Sequence, residues 1–153
     1  MLLAVLDQLA EEKGQRMTLI LRPHPREAEG CFSIVRGRAV RTIVSKKGES
    51  RDLALAADLV VGMNSMLLVE ACCLGCITVS LQPGLRFSDT LPTNRSGLSR
   101  AVYRQEELKP VLEEMIFDKQ ARMASFKRLS SVGLDSGSTR RVVGMIYRIT
   151  GME

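Results

Sequence analysis

Apolar and polar positions alternate along this chain with two different periods, and the periods divide it into elements. Leu2, Val5, Leu6 and Leu9 recur at the spacing of one helical face, which predicts a helix over Leu2–Lys13 with Gly14 as its stop. Met17–Leu21 is a short continuous apolar run that ends in "RPHP", the form of a buried strand emerging into a loop. Residues 26–39 are polar, rich in Arg and Gly, and weakly periodic. "VRTIVS" predicts a second strand and "SRDLALAA" a short helix opening on Ser50. Asp58–Val61 predicts a third strand, Asn64–Leu74 a helix closed by Gly75, and "CITVSLQ" a fourth strand. "PGLRFSDTLPTNRSGL" is turn-rich and long for a structureless loop, which favours a functional role. "SRAVYR" predicts a last strand, and helices over Gln105–Phe117, Lys119–Ser130 and Ser138–Thr150 complete the chain.

Strands that alternate with helices predict an α/β fold, a Rossmann-like parallel sheet flanked by helices. At 153 residues the chain is expected to form one domain, 1–153. Such sheets normally open on a strand, whereas this chain opens on a helix. The expectation is a sheet lacking its first strand, which would be a central one, in a fragment of a two-domain protein; the other reading is an α/β variant that starts on a helix.

Composition narrows the partners. A net charge of +5 favours an anionic partner. Aromatic residues are only 4% and Trp is absent, which argues against a base-stacking platform, so no nucleic acid is expected. No apolar run approaches the ~20 residues of a membrane span, so membrane contact is expected to be peripheral at most. The start lacks the basic leading region and small-residue cleavage site of a secretory signal, and the chain reads as cytoplasmic. Cys73 and Cys76 form a Cys-x-x-Cys pair. A metal or redox reading would need further ligands, and the sole histidine, His24, is distant in sequence, so the thiols read as buried apolar side chains and neither metal nor cofactor is expected.

Three features carry candidate chemistry. In "VVGMNSMLLVE" a strand passes through a loop to a helix start. Asn64 or Ser65 there serves equally as an ordinary helix cap or, with Met66 and the first free N–H groups, as a phosphate cradle at the carboxyl edge of the sheet. Glu70 lies about one and a half turns further on, some 7–8 Å along the axis at ~1.5 Å per residue. It is either a surface glutamate whose stem covers apolar area or a carboxylate that accepts bonds from ribose hydroxyls. Arg22, His24 and Pro25 follow the first strand, so they belong on the same edge; a stiffened imidazole beside an arginine suits phosphate, and equally a satisfied turn. The basic residues between Arg36 and Arg51 are a solvated face or part of the same mouth.

"LILRPHP" followed by "ADLVVGMNSMLLVEACCLGCITVSLQ" resembles the carboxy-terminal half of GT-B type glycosyltransferases. Their relatives include bacterial surface-polysaccharide transferases with a His-Pro motif and, more distantly, UDP-N-acetylglucosamine 2-epimerases. The resemblance covers roughly Leu2–Tyr103. It implies a nucleotide-sugar site, UDP- or CMP-linked, with His24 and Pro25 near the phosphates, Ser65 at the helix start and Glu70 on the ribose. It also implies an amino-terminal GT-B half that binds acceptor and commonly supplies the catalytic base; nothing here corresponds to it, so no catalytic residue is assigned and the isolated domain is expected to be inactive. Two other readings stand beside this one: half of a nucleotide-sugar epimerase or hydrolase, and a non-enzymatic module that forms a homodimer through its incomplete sheet.

Overall fold

A computed structural model describes residues 1–24, 27, 36–131 and 137–151. The element order is α1 Leu2–Lys13, β1 Thr18–Leu21, β2 Arg41–Val44, α2 Ser50–Ala56, β3 Val60–Gly62, α3 Met66–Cys73, β4 Thr78–Leu81, α4 Pro92–Arg95 and β5 Arg100–Val102. A 3-10 turn at Gln105–Glu107 then leads into α5 Leu108–Phe117, α6 Lys119–Ser131 and α7 Ser138–Thr150. The fold is α/β, and among the described residues every strand pairing is parallel.

The parallel strands form two small sheets, one ordered β1-β2 and the other β3-β4-β5. In the first, Thr18 pairs with Arg41 and Leu21 with Val44. In the second, Val60 pairs with Thr78, and Val79 with Arg100. Among the described residues no strand pairs with the other edge of β1 or of β3. The apolar run of β1 therefore departs from the buried strand its sequence predicts: exposed and half-buried positions alternate along it, and Ile20 is 39% exposed. A strand with a single neighbour keeps one edge and part of one face open, however apolar its side chains are.

The core lies between the second sheet and the helices α1 and α5. Leu9, Val79, Val102, Leu108 and Leu112 are completely buried there, with Leu6, Ala10, Val111 and Met115 beside them. Leu19 of β1 and Val61 of β3 both pack against this cluster from its margin, so the two sheets share one core. Lys109 pairs with Glu12 at 2.8 Å, and Lys13 with Glu113, along the solvent edge of the α1–α5 contact. The helix α1 ends where Gly14 turns left-handed, at φ 61°, and the backbone N–H of Gln15 donates to the carbonyl of Ala10 at 3.1 Å.

Strand β4 is buried on both faces, and its alternation explains how. Val79 and Leu81 point into the core cluster. On the opposite face Thr78 and Ser80 are buried polar residues, and Gln82 continues the row just past the strand; each has a hydrogen-bond partner, as buried polar groups must. Thr78 Oγ1 donates to Ser99 Oγ at 2.8 Å, and the Cys72 thiol of α3 joins both hydroxyls at 2.9 and 3.2 Å. Cys76 is also buried and donates to the carbonyl of Ala54, whereas Cys73 is exposed, so the Cys-x-x-Cys pair is split between interior and surface.

One buried charge was not legible as such. Asp7 sits on the apolar side of α1, only 5% exposed. Its carboxylate accepts from the backbone N–H groups of Arg38 at 3.1 Å, Ala39 at 2.9 Å and Val40 at 2.9 Å. Burial pushes its carboxyl group up, but those three N–H donors and the Arg38 charge outweigh burial and hold it below the ordinary range. Asp7 thereby anchors the entry to β2 against α1.

Candidate functional site

The carboxyl edge of β3 carries a run of exposed residues, Met63 to Met66. Gly62 ends the strand, and a Cβ there would lie 2.9 Å from Leu68 Cδ1, so the turn into α3 packs closely on its own first turn. Ser65 is the N-cap of α3, in extended conformation, but its side chain makes no capping bond. Leu68 N–H donates to Ser65 O at 3.1 Å, whereas the N–H groups of Met66 and Leu67 take no backbone acceptor among the described residues. Two N–H donors and an exposed hydroxyl therefore meet at the tip of α3, with the positive end of the helix dipole behind them. Met63 and Met66 flank the tip, both about two-thirds exposed.

A chain of hydrogen bonds supports this tip from below. Ser80 Oγ donates to the carbonyl of Met63 at 3.3 Å, and Gln82 Nε2 donates to Ser80 Oγ at 2.9 Å and to Asp89 at 3.2 Å. Asp89 is the centre of the network. It also accepts from Asn94 Nδ2 at 2.6 Å, the Tyr103 hydroxyl at 2.7 Å and the backbone N–H of Leu91 at 2.8 Å. Burial alone would raise its carboxyl group, but these donors bring it down to about 2, so it is fully ionised near neutrality. The same contact raises the Tyr103 phenol. Asn64 Nδ2 donates to Thr90 Oγ1 at 3.0 Å and ties the turn-rich loop directly to the α3 tip.

Glu70 is half-buried on α3, and its carboxylate faces α2. Glu70 Oε2 accepts from Arg51 Nε at 3.1 Å, which raises the Arg51 guanidinium above its ordinary value. Arg51 therefore joins the neighbourhood, a cation that sequence reading placed only within a general basic run.

The other group of expected residues occupies the end of β1. The Arg22 guanidinium donates to the backbone carbonyls of Ser45 at 3.2 Å, Lys47 at 2.8 Å and Gly48. Those three bonds fasten the loop after β2 to the end of β1, so Arg22 acts as a brace for this edge. His24 is exposed; its N–H donates to Glu27 Oε2 at 2.6 Å while its carbonyl accepts from Glu27 N–H at 2.9 Å, which closes a tight turn. Pro25 lies outside the described residues.

Two depressions of about 310 and 320 Å³ are both lined by Arg100, Ala101, Tyr103 and Glu114 beside β5 and α5. The second is also lined by Thr78, Asn94, Ser99 and Arg128, so it reaches the Asn94 and Tyr103 side chains that donate to Asp89. The α3 tip is an open ledge and belongs to neither. Asp89 lies in the turn-rich stretch, but its four donors come from Gln82, Leu91, Asn94 and Tyr103 and meet only on folding. Comparison with known proteins finds no family model that matches the chain and no curated protein that matches it. Among the described residues no helix is long and apolar enough to cross a membrane.

Proposed function

We propose that the chain is the nucleotide-sugar-binding half of a GT-B type glycosyltransferase-like protein, built on a Rossmann-like sheet that lacks its first strand. The observation that carries this reading is the α3 tip: two N–H donors without backbone acceptors and the Ser65 hydroxyl at the carboxyl end of a parallel strand, with the Glu70 carboxylate further along the same helix. Ligands of open α/β sheets bind at that edge, and anions bind at helix starts. A phosphate seated on Ser65, Met66 and Leu67 leaves the ribose lying back toward Glu70, where Oε1 accepts a hydroxyl while Oε2 stays with Arg51. Among the described residues the outer edges of β1 and β3, which share one core, are unpaired, and this supports a missing central strand. An open ledge agrees with a site whose second wall comes from another domain. Arg22 acts in this reading as the brace of the neighbouring loop, and His24 as the exposed group closest to it in chain order.

Titration with UDP- and CMP-sugars, followed by amide chemical shifts, tests the proposal. Shifts concentrated at Gly62–Glu70, weakened by Glu70→Gln, are the expected result. Unchanged spectra over that segment at millimolar nucleotide sugar would overturn it.

A further inference from the structure

The helix α7 differs from every other helix of the chain. At about 3.6 residues per turn, Val142, Met145, Ile146 and Ile149 fall within an arc of about 100°, and Arg140, Arg141 and Arg148 fall within another on the other side. Tyr147 lies at a boundary between the apolar and basic sides. All of these apolar side chains are exposed, Ile149 by 78%, and none belongs to the buried core clusters. The helix contains no Asp or Glu.

Charge separates this end of the molecule from the rest. Residues 119–150, which run from the start of α6 to the end of α7, contain seven Lys/Arg and a single acidic residue, Asp135. The other 121 residues contain fifteen Lys/Arg and sixteen Asp/Glu. The whole positive balance of the protein therefore resides in this one segment.

We propose that α7 docks on the surface of an anionic lipid bilayer, lying in the interface with Val142, Met145, Ile146 and Ile149 among the acyl chains and its arginines at the headgroups. A strongly two-sided helix with a basic polar face and a large apolar face is the form that binds in the plane of a membrane. Its arginine stems reach the phosphates while their aliphatic parts stay in the apolar layer. Tyr147 at the boundary suits the headgroup level, where amphipathic rings collect. Nucleic acid would match the charge but leave the apolar face in water, and a second copy of the chain would cover the apolar face but leave the arginines without a counter-charge.

The test is flotation of the full chain with phosphatidylcholine vesicles, with and without phosphatidylglycerol. The expected result is binding at least about tenfold stronger to the phosphatidylglycerol vesicles, given the pull of an anionic surface on each basic residue, and weakened at high salt. Ile146→Glu with Ile149→Glu should abolish it, and Arg140→Ser with Arg148→Ser should remove the lipid preference. Because these side chains are exposed, circular dichroism and the urea midpoint of each variant should match the parent. Equal binding to both vesicle types, or none, overturns the proposal. So does a concentration-dependent dimer in light scattering that the Ile146→Glu, Ile149→Glu variant dissociates, or binding to duplex DNA with no vesicle binding.

Discussion

Replacing Asp89 by Asn probes the network beneath the α3 tip with the least change of shape. The ordinary aspartate value of 3.8 falls to about 2 in the folded chain. A depressed carboxyl contributes stability that is fully present above the unfolded value and is lost as pH falls through the folded one. At about 1.4 kcal/mol per pKa unit the difference is worth up to ~2.4 kcal/mol, and partial exposure of the loop brings this to about 1.5–2 kcal/mol. Asn also offers an NH2 group to Gln82 and Asn94, both donors, so the loss should sit at the upper end of that range. Urea unfolding of parent and Asp89→Asn at half-unit steps from pH 7 to pH 2 reads the effect, and the difference between them removes the other carboxylates. We expect a constant gap of about 2 kcal/mol above pH 5 that shrinks below pH 4 and closes near pH 2. A gap independent of pH would refute the electrostatic account, and a gap below about 0.5 kcal/mol at pH 7 would refute the hydrogen-bond network as a stabilising unit.

Three further outcomes follow from the same geometry. Gly62→Ala forces a Cβ against Leu68 and should destabilise by about 1–3 kcal/mol in urea unfolding, with amide shifts at Ser65 and Met66 as the tip is displaced. Asp7→Ala removes the acceptor of three N–H groups at the entry to β2, that of Val40 buried, and should cost about 1–3 kcal/mol, read as a lower urea midpoint with faster amide exchange at Arg38–Val40. Glu70→Gln leaves the core untouched, so its urea midpoint should match the parent while nucleotide-sugar binding falls; equal losses in both would make Glu70 a structural residue.

Much of the architecture follows from local pattern. The apolar spacing in Leu2–Leu9 and the glycine after Lys13 delimit α1, and the β-prone runs mark β1 to β5 to within a residue or two, because periodicity and chain punctuation are properties of neighbouring residues. A cap of α3 at Asn64 or Ser65 and Glu70 on that helix were equally legible. Partners were not. That Asp7 meets the N–H groups of residues 38–40, that Arg22 braces the carbonyls after β2, and that Arg51 holds Glu70 depend on how distant segments pack, which no local pattern encodes. Tertiary structure alone also decided the exposure of β1. Its sequence is that of a buried strand, but burial depends on what lies beside a strand, and one neighbour covers one edge. Local sequence determined where helices, strands and the candidate tip fall along the chain; three-dimensional packing determined which charges are satisfied internally and which polar groups remain open to a ligand.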